Sequence, residues 1–158
     1  MKLLNFDVGG HAPLFVIAGP DTLESQDLCV EVAGYLKDIT DRLQIPYIFK
    51  GSFDKANRTS VNSYRGPGLD DGLKILQAVK DQVGVPVLTD VHEDTPLDAL
   101  VWIVDVLQTP AFLCRHTNFI QNVARTGLPI NIKKGQFLSP WEMSQVVDKA
   151  RQTGNESL

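Results

Sequence analysis

The chain has only two cysteines, Cys29 and Cys114, in 158 residues. They stand far apart and outside any C-x-x-C pair, so neither a disulfide framework nor a thiolate zinc site is indicated. Long apolar runs are also missing: no stretch approaches the roughly 20 residues that cross a bilayer. The opening MKLLNFDVGGHAP has one Lys but no extended apolar segment and no small-residue cleavage site, which makes it a poor export signal. There is no basic surplus either. The formal net charge is −4, which disfavours broad nucleic-acid binding. Repeats, low-complexity tracts and linkers are absent, as are the G-x-x-x-x-G-K-[ST], G-x-S-x-G and H-E-x-x-H patterns. These absences leave one domain over 1–158, expected in the cytoplasm, with no membrane or nucleic-acid partner.

What is present is a regular alternation of strand and helix signals. LFVIA (14–18) is a short apolar run stopped by Gly19-Pro20, and PYIFKG (46–51), VPVLTDV (85–91), VLQTPAF (106–112) and PINIKKG (129–135) read as four further strands. Apolar residues spaced by three and four predict amphipathic helices over 25–43 and 69–83, the second closed by Gly84. Shorter helices are expected over 96–104 and near 117–126. Ser139-Pro140-Trp141-Glu142 carries the cap, first-turn proline and third-position acid that start a last helix.

Such alternation implies parallel strands with crossover helices. A doubly wound sheet suits the length, since a βα barrel usually needs about 250 residues. The polar residues favour the barrel. Each strand delivers one at its C-terminal end: Asp21, then Lys50 and Ser52, then Asp90 and His92, then Gln108, then Lys133 or Lys134. An open sheet concentrates ligand groups at a single switch point, whereas barrel strands converge on one site.

The densest cluster is FKGSFDKANRTS (49–60), where Lys50, Lys55, Arg58 and the nearby Arg65 face a single acid, Asp54. A local cationic patch on an acidic chain suits a small anion. Arg58 offers a planar fork for phosphate oxygens, and the helix opening near Gly68 would add backbone N–H groups. A solvated loop, with Lys50 snorkelling from the sheet edge, explains the same composition. Asp90 and His92 share a strand face and read as a base pair, two metal ligands or simply a hydrogen-bonded turn. His11 and His116 show no ligand spacing.

Taken together, FKGSFDKANRTS, NSYRGPGL, TDVHE, LQTPAFLCR and NIKKGQF resemble the 3-deoxy-D-manno-octulosonate 8-phosphate (Kdo8P) synthase family, from IAGP to TGN. The resemblance implies a TIM-type (β/α)8 barrel, of which this chain would hold about five βα units, truncated before the last three strands. It implies condensation of phosphoenolpyruvate with arabinose 5-phosphate, addition of water and release of phosphate, in a homo-oligomer. Lys55, Lys133 and Asp90 would be catalytic. Lys50, Ser52 and Gln108 would bind phosphoenolpyruvate, and Asn57, Arg58 and Thr59 the pentose phosphate. Arg115 would reach a neighbouring subunit's site. Related synthases using erythrose 4-phosphate carry a Lys-Pro-Arg-Thr loop where this chain has Lys55-Ala56-Asn57-Arg58, and they are the competing enzyme reading. Family members have Cys or Asn where this chain has Asp21, so the expected cofactor is a divalent metal (Mn, Mg, Fe or Zn), with a hard ion favoured at Asp21; the resemblance places the other ligands, a His, a Glu and an Asp, in the strands this chain lacks. No organic cofactor is expected. The alternative is an inactive half-barrel that binds sugar phosphates or a partner subunit. On either reading the isolated chain is expected to be inactive or poorly soluble, or to depend on a partner or on self-association.

Overall fold

The computed structural model describes residues 1–158. A two-stranded antiparallel hairpin, β1 (Lys2–Leu3) and β2 (Phe6–Asp7), opens the chain. Then come β3 (Val16–Ala18), α1 (Gln26–Leu43), β4 (Tyr47–Lys50), α2 (Leu69–Val83), β5 (Val87–Asp90), α3 (Leu97–Leu100), β6 (Val106–Thr109), α4 (Thr117–Ala124), β7 (Ile130–Ile132) and α5 (Met143–Arg151). Strands β3 to β7 form one sheet in sequence order, and every pair is parallel. Sequential parallel order with helical crossovers makes these five βα units of a TIM-type barrel, as the strand-end pattern predicts.

Alternation along the strands divides the sheet into two faces. Val16, Ala18, Phe49, Val87, Leu107, Ile130 and Ile132 pack outward into the larger core beneath the helices. Ile48, Leu88 and Val106 point inward and pack with Leu3 of the hairpin, joined by Phe6, Val8, Phe15 and Ile17. The hairpin therefore floors the inner face at the N-terminal ends of the strands. Ile48, Leu88 and Val106 are fully buried, and each is worth about 1.5–3 kcal/mol. Above this floor the same inward parity gives Lys50, Asp90, Gln108 and Asn131. Register places Asp90 beside Gln108 and Gln108 beside Asn131.

Several boundaries differ from the sequence reading. The helix expected over 96–104 is regular only at Leu97–Leu100. The strand expected over 106–112 stops at Thr109, because Pro110 cannot donate to a ladder and starts a 3₁₀ turn at Ala111–Leu113. The hairpin was not expected: two-residue strands are too short to show a period, and its turn uses Leu4 at φ +53° instead of glycine. The cap at Ser139 is as expected. Its Oγ accepts from Glu142 N, while Glu142 Oε2 accepts from Ser139 N at 2.7 Å. The residues after α5 are also tied down. Asn155 Nδ2 donates to the carbonyls of Ala124 and Leu128, and the Ser157 carbonyl accepts from Ile130 N at 2.8 Å.

One polar node secures the entry to β5. Lys80 Nζ donates to Asp105 Oδ1 at 2.9 Å and to the Ile103 carbonyl at 2.7 Å. Asp105 Oδ2 accepts from Val87 N at 2.8 Å. A carboxylate thus fills an acceptor position that the short β5–β6 ladder leaves open.

Candidate functional site: a charged cleft at the strand ends

A cleft of about 350 Å³ opens above the C-terminal ends of the strands. Asp21, Lys50, Lys55, Asn57, Asp90, Gln108 and Lys133 line it, so seven of the residues singled out in sequence meet at one place. Ala56, His92, Glu93, Gln136 and the turn from Pro110 to Leu113 complete the lining.

Lys50 ends β4 on the inner face. Its Nζ donates to Ser52 Oγ at 2.9 Å and lies 3.5 Å from the Asp21 carbonyl. Ser52 is fully buried and stands behind Lys50 rather than on the cleft wall. Burial pushes the Lys50 pKa down to about 8; the Asp90 carboxylate opposes this and the neighbouring Lys55 ammonium reinforces it. The close approach of β3 to β4 fixes this corner: a Cβ at Gly19 would sit 2.1 Å from the Lys50 carbonyl oxygen.

Lys55 is positioned by a fold-back of the loop after β4. Lys55 N donates to the Arg65 carbonyl at 2.6 Å, and Gly68 N to that of Phe53. Gly66 sits at the bend with φ +130°, where a Cβ would come within 2.3 Å of the Phe53 oxygen. The Lys55 ammonium meets Asp21 Oδ1 at 2.6 Å. That hydrogen bond, the largest influence, holds the Asp21 carboxyl below the usual carboxylate range; burial opposes it, and the charges of Lys55, Lys50 and Arg58 add smaller support.

Across the cleft, Asp90 and His92 face the same way, with His92 Nε2 3.7 Å from Asp90 Oδ2. Both side chains are only a tenth exposed. Asp90 Oδ1 is buried without a protein hydrogen-bond partner. A carboxylate oxygen left so, on a cleft wall, is a place for a ligand donor. His92 packs edge-on against Phe53. Asn131 Nδ2 donates to Gln108 Oε1 at 2.8 Å, which turns the Gln108 amide N–H₂ towards other partners. Lys133 faces the cleft while Lys134 Nζ turns back to the carbonyls of Gly135 and Leu138, so only one of the two consecutive lysines serves the site.

Other expected residues stand apart. Arg58 is exposed, with Nε on the Tyr64 carbonyl and Nη2 3.4 Å from Thr22 Oγ1. Thr59 is exposed and does not line the cleft. Arg115 is exposed outside it and contributes only a backbone carbonyl, to Lys149 Nζ at 2.8 Å. The first turn of α2 adds no N–H groups to the cleft wall; it carries Asp70 and Asp71. Arg65 is taken by Asp54 in a two-point pair at 2.8 and 2.5 Å. The loop's positive surplus is therefore partly neutralised at home. The sequence reading left Glu93, Gln136 and Asn131 unnamed; Asn131 was findable, because it has the inward parity of Gln108.

Alone, these residues do not complete a divalent-metal site at Asp21. No three His, Cys, Asp or Glu side chains converge on a point, and the Asp21 oxygen that would face an ion is held by an ammonium.

Parallel strands whose C-terminal ends converge on one polar cleft define the class: a TIM-type barrel scaffold with a lysine-bearing, mixed-charge site at its usual functional rim. Residues 4–158 match the DAHP synthetase I family, and the chain belongs to that family. Among curated proteins it is similar to the 2-dehydro-3-deoxyphosphooctonate aldolase of Hydrogenovibrio crunogenus, with 65% identity over the whole chain and 57% of the relative. The proteins of the same name from Legionella pneumophila (62%, covering 58% of the relative) and Thioalkalivibrio sulfidiphilus (61%, covering 56%) are also similar over all 158 residues. The chain thus spans a little over half the length of these relatives.

Proposed function

We propose that this chain carries the phosphoenolpyruvate half-site of a Kdo8P synthase, the enzyme whose reverse-sense name its relatives bear. The reaction joins phosphoenolpyruvate and arabinose 5-phosphate, consumes water and releases phosphate. The observation that carries this reading is the convergence of Lys50, Lys55 and Lys133 on one cleft with Asp90 and Gln108. Two anionic substrates repel each other, and cations fixed in advance offset that repulsion before the carbon–carbon bond forms.

In this reading Lys50, Lys55 and Lys133 hold the carboxylate and phosphate of phosphoenolpyruvate, with Ser52 orienting the Lys50 amine. A lysine with a pKa of about 8 both donates and accepts protons near neutrality, so Lys50 joins Lys55 and Lys133 as a candidate for proton transfer. Asp90, with its unpartnered oxygen, positions the aldehyde. Asn57, at the cleft mouth, leads towards Arg58 and Thr59 on the exposed loop, where the pentose phosphate binds. Arg115, which lies away from this cleft, serves a neighbouring subunit of a homo-oligomer. Cytoplasmic location and truncation of a longer barrel belong to the same proposal.

One observation favours a second reading, in which these residues bind sugar phosphates without turning them over. β3 and β7 are both edges of the sheet, so the cleft wall between them is not built by these five strands. Phosphate release from phosphoenolpyruvate, measured with arabinose 5-phosphate and with erythrose 4-phosphate, tests both readings. Release with the pentose only supports the synthase; release with the tetrose overturns the substrate assignment. Binding of either sugar phosphate without release supports the binding reading.

A further inference from the structure

Asp21 is the acid paired with Lys55 at the cleft wall, with Lys50 nearby. Its backbone is fixed by the β3–β4 junction: Ser52 N donates to the Asp21 carbonyl and Leu23 N to that of Ser52. Its side chain is not fixed in this way. The Asp21 side chain is 71% exposed, whereas that of Lys55 is only 12% exposed. A solvent-side carboxylate therefore rests on a largely covered ammonium, and rotation about its own side-chain bonds returns it to water at small cost.

We propose that Asp21 is a tethered counter-ion which occupies Lys55 until a dianionic group displaces it, and that it thereby sets an affinity threshold which dianions such as phosphate esters pass and monoanions do not. A free monocarboxylate brings to Lys55 the same single charge that Asp21 already supplies. It gains nothing in charge and pays the association entropy that a tethered group has largely paid. A phosphate or sulfate dianion brings a second charge and several acceptor oxygens, enough to engage Lys55 and Lys50 together. Removing the charge at Asp21 leaves Lys55 without its counter-ion, and the cleft then admits anions of either kind more readily. The inference rests on the anion-site reading of the cleft but not on turnover.

The test is calorimetric titration of the 158-residue chain with sulfate and with acetate, for wild type, Asp21→Asn, Asp21→Ala and Asp21→Glu. Asp21 is exposed, so none of these changes disturbs the core, and a thermal melt of each variant checks this. Wild type is expected to bind sulfate and to show no acetate binding. Asp21→Asn and Asp21→Ala are expected to bind sulfate roughly threefold to tenfold more tightly and to acquire measurable acetate binding. Asp21→Glu, which restores the tethered charge, is expected to suppress acetate again. Equal sulfate affinity in wild type and both neutral variants, or acetate binding already present in wild type, overturns the threshold. Sulfate binding by none of the four proteins overturns the anion-site reading itself, and the threshold with it.

Discussion

Lys50 offers the most direct test of the cleft as an anion site. Its pKa of about 8 leaves it charged in roughly nine molecules of ten at pH 7 and in roughly one of ten at pH 9. If an anion needs the charged amine, its apparent affinity falls about tenfold over that interval, in step with the charged fraction. Sulfate is the suitable probe, because it stays a dianion throughout whereas phosphate itself titrates near pH 7. Lys50→Arg keeps a positive charge at every pH in the range, so its sulfate affinity should be flat between pH 7 and pH 9. Lys50→Met removes the charge-assisted hydrogen bond, worth about 1.5–3 kcal/mol, and should weaken binding by about tenfold to a hundredfold at pH 7. The stability sign is fixed by the same numbers. The unfolded lysine has its ordinary pKa of 10.5 and the folded one about 8, so between these values the unfolded chain binds more protons. Folding stability therefore rises with pH across this window, and below pH 8 the whole cost of burying the charge is present. That cost is about 2 kcal/mol once screening of the partly exposed amine is allowed for. A wild-type affinity that is flat from pH 7 to pH 9, or a Lys50→Arg profile as steep as the wild type, would show that Lys50 does not carry the anion.

Three structural predictions follow from individual positions. Gly19→Ala drives a methyl group to 2.1 Å from the Lys50 carbonyl oxygen; neither backbone can yield, so a loss of about 3 kcal/mol or more is expected in urea unfolding, with weaker sulfate binding. Asp105→Ala strands the Val87 N–H and removes the counter-ion of Lys80, leaving that ammonium only the Ile103 carbonyl, and should cost about 2–4 kcal/mol, while Asp105→Asn, which keeps an acceptor for Val87, should lose less than half of that. Equal losses in the two variants would remove the role given to the Val87 hydrogen bond. Leu88→Ala opens a cavity in the inner layer between the hairpin and the cleft and should lower stability by about 2–5 kcal/mol, seen as a shifted denaturant midpoint at unchanged slope.

Parity explains both what the sequence disclosed about the site and what it withheld. Strand alternation is local, so Lys50 with Ile48 beneath it, and Asp90 with Leu88 beneath it, announced an inner face that is apolar below and polar above. The five strands and the convergence of their ends were legible for that reason. So was the split between Lys133 and Lys134, since consecutive strand residues must face opposite ways. The hairpin under the inner face was not legible, because it supplies only Leu3 and Phe6 and its turn sets Leu4, rather than glycine, at positive φ before Asn5. The pairing of Lys55 with Asp21 was hidden for a different reason. It joins groups 34 residues apart through a loop whose path depends on Gly66 and on the Lys55–Arg65 backbone bond. Charge counting over residues 50–65 therefore saw four cations and one acid, while the folded loop gives Arg65 to Asp54 and Lys55 to Asp21. Of the cations in that stretch, Lys50 and Arg58 are the two left without a carboxylate at salt-bridge distance, and only Lys50 lines the cleft. An incoming anion thus meets one unpaired ammonium in this wall and one that must first be released, which makes the order of engagement, Lys50 before Lys55, a property of the fold rather than of the ligand.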